Sequence, residues 1–172
     1  MKKKYLYAIL FIGILYPRVT FSQENTKEYD LSYNGESETP MIFTVEKWSD
    51  LSFGYVYGGT TAEVDVDNPN AALFRLFSDK KGYFTLTFTL PATLNLPGGG
   101  TVPITFDQNH AYYTYNNSTP ISGTYFDPTQ ATTILINIMN TYVYIWLGGT
   151  INIPSGTPTG NYTATITFTV QK

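Results

Sequence analysis

One imidazole, two indoles, 15 phenols and no thiol define the chemical repertoire of this 172-residue chain. The absence of Cys removes thiol catalysis, disulfide scaffolds and Cys-based zinc or iron–sulfur sites, and a lone His nearly removes His-cluster metal sites. His110 follows Asp107 by three residues, so a Ser-His-Asp arrangement is formally available. No Gly-x-Ser-x-Gly elbow accompanies it, and Asp107-Gln108-Asn109-His110 reads more simply as solvated polar loop. Glycoside hydrolysis needs two carboxyl groups within about 5–10 Å of each other. Residues 82–172 supply only Asp107 and Asp127, so the sequence predicts no catalytic residue and no enzyme.

Asp65, Asp67 and Asn70 gather oxygen ligands that suit Ca²⁺. The segment lacks the Gly and the distant Glu of a calcium-binding helix-loop-helix. Outward acids on a strand that ends in an Asn-Pro-Asn turn explain it better. No metal and no cofactor are expected. The aromatic residues offer a second chemistry, because flat rings stack on sugars. Tyr112, Tyr113, Tyr115 and Tyr125 fall in the stretch 107–128, the longest without a clear pattern, and form a candidate ligand loop. Trp48 and Trp146 could join them. Core packing for Trp146 and edge packing for Trp48 are the simpler reading, since aromatics dominate β cores.

The elements that must position these residues are strands. In residues 83–90, Phe84, Leu86, Phe88 and Leu90 share one face, and Thr85, Thr87 and Thr89 share the other. Residues 162–170 repeat the pattern, with Tyr162, Ala164, Ile166, Phe168 and Val170 set against four Thr. Further strands are predicted over 41–45, 51–57, 62–66, 73–77, 102–106, 132–138, 142–147 and 150–153. Gly-, Pro- and Asn-rich turns separate them, and no helical periodicity appears. Short strands at near-regular spacing predict an all-β antiparallel sandwich over residues 41–172.

Residues 1–22 carry the plan of a secretory signal peptide: Lys2-Lys3-Lys4, an apolar run from Leu6 to Leu15, and Thr20-Phe21-Ser22 before a cut. The run is too short to span a bilayer, so no membrane span is expected once the leader is gone. After the cut, 6 basic and 13 acidic residues leave a net charge of −7. Such a chain repels phosphate backbones, and no nucleic-acid partner is expected. Residues 23–40 form an extension with a candidate pairing strand, in which Tyr29, Leu31 and Tyr33 alternate with polar residues. A strand of that kind can complete a neighbour's open sheet edge. Pairing within its own domain, or fraying, is the plainer reading.

Three stretches carry a family likeness: Leu51-Ser52-Phe53-Gly54 with Gly58-Gly59; the strand 83–90 running into Pro91-Ala92-Thr93-Leu94; and Leu147-Gly148-Gly149-Thr150 followed by the Gly160-Asn161-Tyr162 strand. In that order the chain resembles the bacterial secreted family called domain of unknown function 4402. Its closing strand is also similar to those of fimbrial subunits and spore coat protein U-like proteins. The resemblance implies an immunoglobulin-like sandwich and an extracellular, often polymeric, role. The expected function is therefore a secreted structural or adhesive protein of the periplasm, cell surface or extracellular space, acting by self-association or on other surface proteins. The alternative is a carbohydrate-binding module whose glycan partner meets the aromatic loop.

Overall fold

The computed structural model of the protein describes residues 6–13, as a backbone strand, and residues 41–172. The expected cut after Ser22 and the strand expected at Tyr29, Leu31 and Tyr33 lie outside the described residues. In chain order the strands are β1 (Leu6–Gly13), β2 (Phe43–Ser49), β3 (Thr60–Val64), β4 (Ala72–Ser78), β5 (Gly82–Thr89), β6 (Thr93–Asn95) and β7 (Thr101–Thr105). They continue as β8 (Ala111–Tyr115), β9 (Thr124–Phe126), β10 (Thr132–Ile136), β11 (Thr141–Leu147), β12 (Gly149–Ile153) and β13 (Asn161–Gln171). Every pairing is antiparallel. One sheet runs β10-β5-β13-β6-β7-β12-β3, and the other β2-β4-β11-β8-β9. The chain is an antiparallel β-sandwich, as its alternation predicts.

The two sheets meet over aromatic rings. Phe74 on β4 lies 4.9 Å from Phe168 on β13 and 5.8 Å from Phe88 on β5, and the last two are 4.7 Å apart. Phe43 of β2 reaches Phe84 of β5 at 5.9 Å. Leu76, Leu86, Ile136, Val143 and Ile145 fill the space between and are fully buried. The inward side of β13 is the predicted one: Tyr162, Ile166, Phe168 and Val170 are buried.

At Leu147 the chain leaves one sheet and at Gly149 it enters the other. Gly148 makes that crossing possible, because a Cβ there would collide with the Val64 carbonyl. The crossing is pinned by the Gly148 N–H, which donates to the His110 carbonyl at 2.8 Å.

Two expectations need correction. Residues 51–57 form no strand, although Leu51, Phe53 and Val56 are buried. Gly54 takes a left-handed φ of 63°, which breaks extended geometry, and Ser52 N–H bonds Asn70 C=O instead of a ladder. The stretch 107–128 is not a single loop, because it contains β8 and β9. Its alternation is hidden because both faces of β8 are covered, so Tyr and Thr fill inside and outside alike. The short strand β6 was also not anticipated; Leu94 is its one buried residue.

Tyr162 opens β13 and has its ring buried, and its hydroxyl donates to the Pro158 carbonyl at 2.7 Å. It thereby ties the turn before the last strand to that strand. Tyr162→Phe should cost about 1–2 kcal/mol by leaving that carbonyl without its partner. Tyr162→Ala should cost about 3–5 kcal/mol. Urea unfolding of both variants checks the order.

Candidate functional site: an aromatic sheet face and an open strand edge

The outer face of the five-stranded sheet is built by the odd–even logic of its strands. On β11, Val143, Ile145 and Leu147 point into the core with no exposure, so Tyr142, Tyr144 and Trp146 point outward. Register places Arg75 opposite Tyr144, Phe77 opposite Tyr142, and Tyr112 opposite Trp146. Tyr125 of β9 extends the same face beside Tyr112. At the far edge, β2 carries a bulge between Lys47 and Ser49 that inserts Trp48 as an extra residue. A bulge re-aims the side chain it carries, and Trp48 lands on the outer face beside Glu46.

The rings form a chain of contacts. Trp48 lies 5.5 Å from Tyr144, Tyr144 lies 6.2 Å from Trp146, Trp146 lies 6.0 Å from Tyr112, and Tyr112 lies 4.8 Å from Tyr125. Phe77 packs on Tyr142 at 4.9 Å. The Arg75 guanidinium sits 4.5 Å from the Trp48 ring centre and 4.8 Å from that of Tyr142. Its charge is met by Glu46 at 2.6 Å, and the Trp48 indole N–H donates to the same carboxylate at 3.2 Å. Trp48 is 48% exposed, Tyr125 56% and Tyr142 36%, whereas Trp146 and Tyr112 are buried. The Tyr112 hydroxyl is capped by the Gly123 N–H.

The four tyrosines of the expected ligand loop are thus divided. Tyr112 and Tyr125 belong to the outer face; Tyr113 and Tyr115 turn to the other side of β8, where Tyr113 packs on Phe126 at 5.9 Å. The Tyr115 hydroxyl donates to the Leu135 carbonyl at 3.0 Å, bridging to the other sheet. Trp146 is buried as expected, but on the outer side of its sheet. Arg75, Glu46, Phe77, Tyr142 and Tyr144 were not anticipated. The sequence did hold one signal, the spacing Tyr142-x-Tyr144-x-Trp146, which puts three rings on one strand face.

His110 is not solvated. It is 3% exposed, with Nδ1 accepting the Asp107 N–H at 2.9 Å and Nε2 3.2 Å from the Thr150 hydroxyl. The Asp107 carboxylate also stands 3.0 Å from Nδ1, so Thr150, His110 and Asp107 have the spacing of a triad. The tautomer is wrong for one, because a ring nitrogen that accepts a backbone N–H cannot present a proton to the carboxylate. Asp107 and Asp127 line a shallow depression with Gln108, Asn109 and Thr129. Asp127 is held below the usual carboxylate range by the Thr129 hydroxyl and N–H, which both donate to it. Asp65 and Asp67 are exposed and alternate with buried Val64 and Val66, and the Asn68 side chain accepts the Asn70 N–H. Among the described residues no three His, Cys, Asp or Glu side chains converge on a metal position.

A second feature is backbone alone. On one edge of β13, Thr167 pairs with Thr89 of β5 and Thr163 with Asn95 of β6, so β5 and β6 lie end to end along that edge. The same Thr167 and Thr163 pair with Tyr7 and Phe11 of β1 on the opposite edge. Among the described residues, β1 alone meets that second edge over residues 161–168.

Comparison with protein-family models matches residues 43–171 to Domain of unknown function (DUF4402). No curated protein and no solved structure matches the chain.

Two outcomes follow from these placements. His110→Ala should cost about 1–3 kcal/mol in urea unfolding by emptying a buried ring position and removing the acceptor of the Asp107 N–H. Burial, aided by Tyr113, pushes the Tyr115 phenol up to about 12. A raised folded value means stability is full below pH 10 and is lost as pH rises through about 12. In an absorbance titration one phenol should ionise late, and Tyr115→Phe should remove it.

Proposed function

The chain belongs to the DUF4402 family, and on that premise we propose that it is a secreted structural or adhesive protein of the cell surface or extracellular matrix, acting through strand-edge contacts. The leader pattern of residues 1–22 supports export. Residues 82–172 carry only Asp107, Asp127 and Lys172 as formal charges, and this Thr- and Tyr-rich surface suits an exported β protein. Among the described residues no helix is long and apolar enough to cross a membrane. Self-association and other surface proteins are the proposed partners.

The observation that carries the reading is the second edge of β13. Cutting after Ser22 would take β1 away and leave the N–H and C=O groups of residues 161–168 unpaired, a template for another strand. The extension after the cut holds a fitting segment, Tyr29-Asp30-Leu31-Ser32-Tyr33. Direction separates the two ways it could dock. Ile42 exchanges hydrogen bonds with Asp79, three residues before Gly82, which abuts Lys172. Met41 therefore lies near the C-terminal end of β13. An extension leading straight into Met41 would run parallel to β13, whereas β1 runs antiparallel.

Antiparallel docking at 163–168 within one chain would require Gly35–Pro40 to double back. The seven steps from Asn34 to Met41 reach at most about 25 Å. The return from residue 163 to 171 is about 26 Å, so docking within one chain would pull Gly35–Pro40 taut, whereas a second copy docks without that constraint. Light scattering on chain 23–172 should give oligomers, and chain 41–172 should give monomers. A monomeric 23–172 chain would refute the strand-edge reading.

The second reading is carbohydrate binding. It is supported by the exposed rings Trp48, Tyr125 and Tyr142 on the sheet face, in place of the loop first expected to carry it.

A further inference from the structure

We propose that Trp48, Arg75, Tyr142 and Tyr144, with Glu46 and Phe77, form a binding site for a neutral polysaccharide. The inference rests on the carbohydrate reading and gives it a place and a ligand class. It does not depend on the edge of β13.

Four features of the face define the ligand. First, the rings of β2, β4 and β11 are partly exposed and in contact with one another, so they offer a platform to a molecule with apolar C–H faces. A pyranose ring has such faces, with hydroxyls around its rim. Second, polar groups surround the rings. The Tyr142 and Tyr144 phenols, the Arg75 guanidinium and the Glu46 carboxylate can all bond hydroxyls. Third, the site is electrically balanced. Arg75 and Glu46 are paired at 2.6 Å, and β8, β9 and β11 carry no formal charge at all. Nothing there would pay the desolvation of an anionic or cationic ligand, which points to a neutral one. Fourth, the platform is already assembled. Arg75 is held between Trp48 and Tyr142, and the Trp48 N–H is held by Glu46, so little rotamer entropy remains to be lost on binding.

A hydrophobic protein segment fits this face less well. Its single aliphatic outward residue on β4, Leu73, is half-buried, and the exposed rings adjoin polar groups, whereas protein interface cores are depleted of charge. The exposed rings Trp48 and Tyr142 stand on β2 and β11, on either side of β4, which suits an extended chain lying across Arg75.

Affinity electrophoresis of chain 23–172 tests the inference. Native gels are cast with neutral polysaccharides (laminarin, hydroxyethylcellulose, xylan, galactomannan) and, separately, with anionic alginate. At least one neutral gel should retard the protein. Trp48→Ala and Tyr142→Ala should each lower the affinity about tenfold. Trp48→Phe should keep most of it, and Leu135→Ala, exposed on the other sheet, should keep all of it. The Trp48→Phe variant separates lost stacking from lost folding, and intrinsic fluorescence should shift to the blue when the sugar covers Trp48. Retardation that survives both alanine variants would overturn the site while leaving carbohydrate binding standing. Retardation in alginate alone would overturn the inference of a neutral ligand while leaving carbohydrate binding standing, and retardation in no gel would overturn both.

Discussion

A β-strand has two faces and two edges, and each must be given a neighbour or water. In this chain the face condition is met by closing two sheets over Phe74, Phe88 and Phe168, whose rings touch across the gap. Everything else in the structure answers to that contact. It sets which residues of β4, β5, β11 and β13 turn inward, and so which remain on the outside. It requires the chain to pass from one sheet to the other at Gly148, where a side chain has no room. It also makes the buried His110 useful, because its Nδ1 closes the 107–110 turn while its carbonyl and Nε2 fasten that turn to the crossing.

The aromatic outer face is a consequence of the same geometry. With Val143, Ile145 and Leu147 committed to the core, Tyr142, Tyr144 and Trp146 have only the outer side left. Cross-strand register then brings Arg75, Phe77 and Tyr112 against them, and the bulge in β2 adds Trp48. A face so rich in rings is not demanded by stability, since a solvated sheet face is normally polar. The buried middle, Tyr112 and Trp146, contributes packing. The exposed end at Trp48 and Tyr142 is the part free to meet a ligand.

The edge condition is met differently on the two sides of β13. One side is paired with β5 and β6 inside the domain. The other is paired with β1, which lies within the stretch that reads as a leader. The domain of 41–172 is thus complete in its faces and incomplete in its edges. Such an edge is a template for an added strand, and the proposed function rests on that contact.

Sequence alone determined the all-β class, the inward faces of β5 and β13, and the family likeness that the match to residues 43–171 bears out. These are legible because strict alternation of apolar residues with Thr encodes one buried and one wet face within a few neighbouring positions. Where both faces are covered, as at Ala111–Tyr115, the alternation vanishes and the strand was read as loop. Where a left-handed Gly54 interrupts an apolar run, buried residues were read as a strand that does not exist. The division of the tyrosines between two faces, the burial of His110, and the meeting of Trp48 with Arg75 and Tyr142 were decided only by tertiary structure. Each depends on register between strands far apart in the chain, and register is a property of pairs that no local pattern contains.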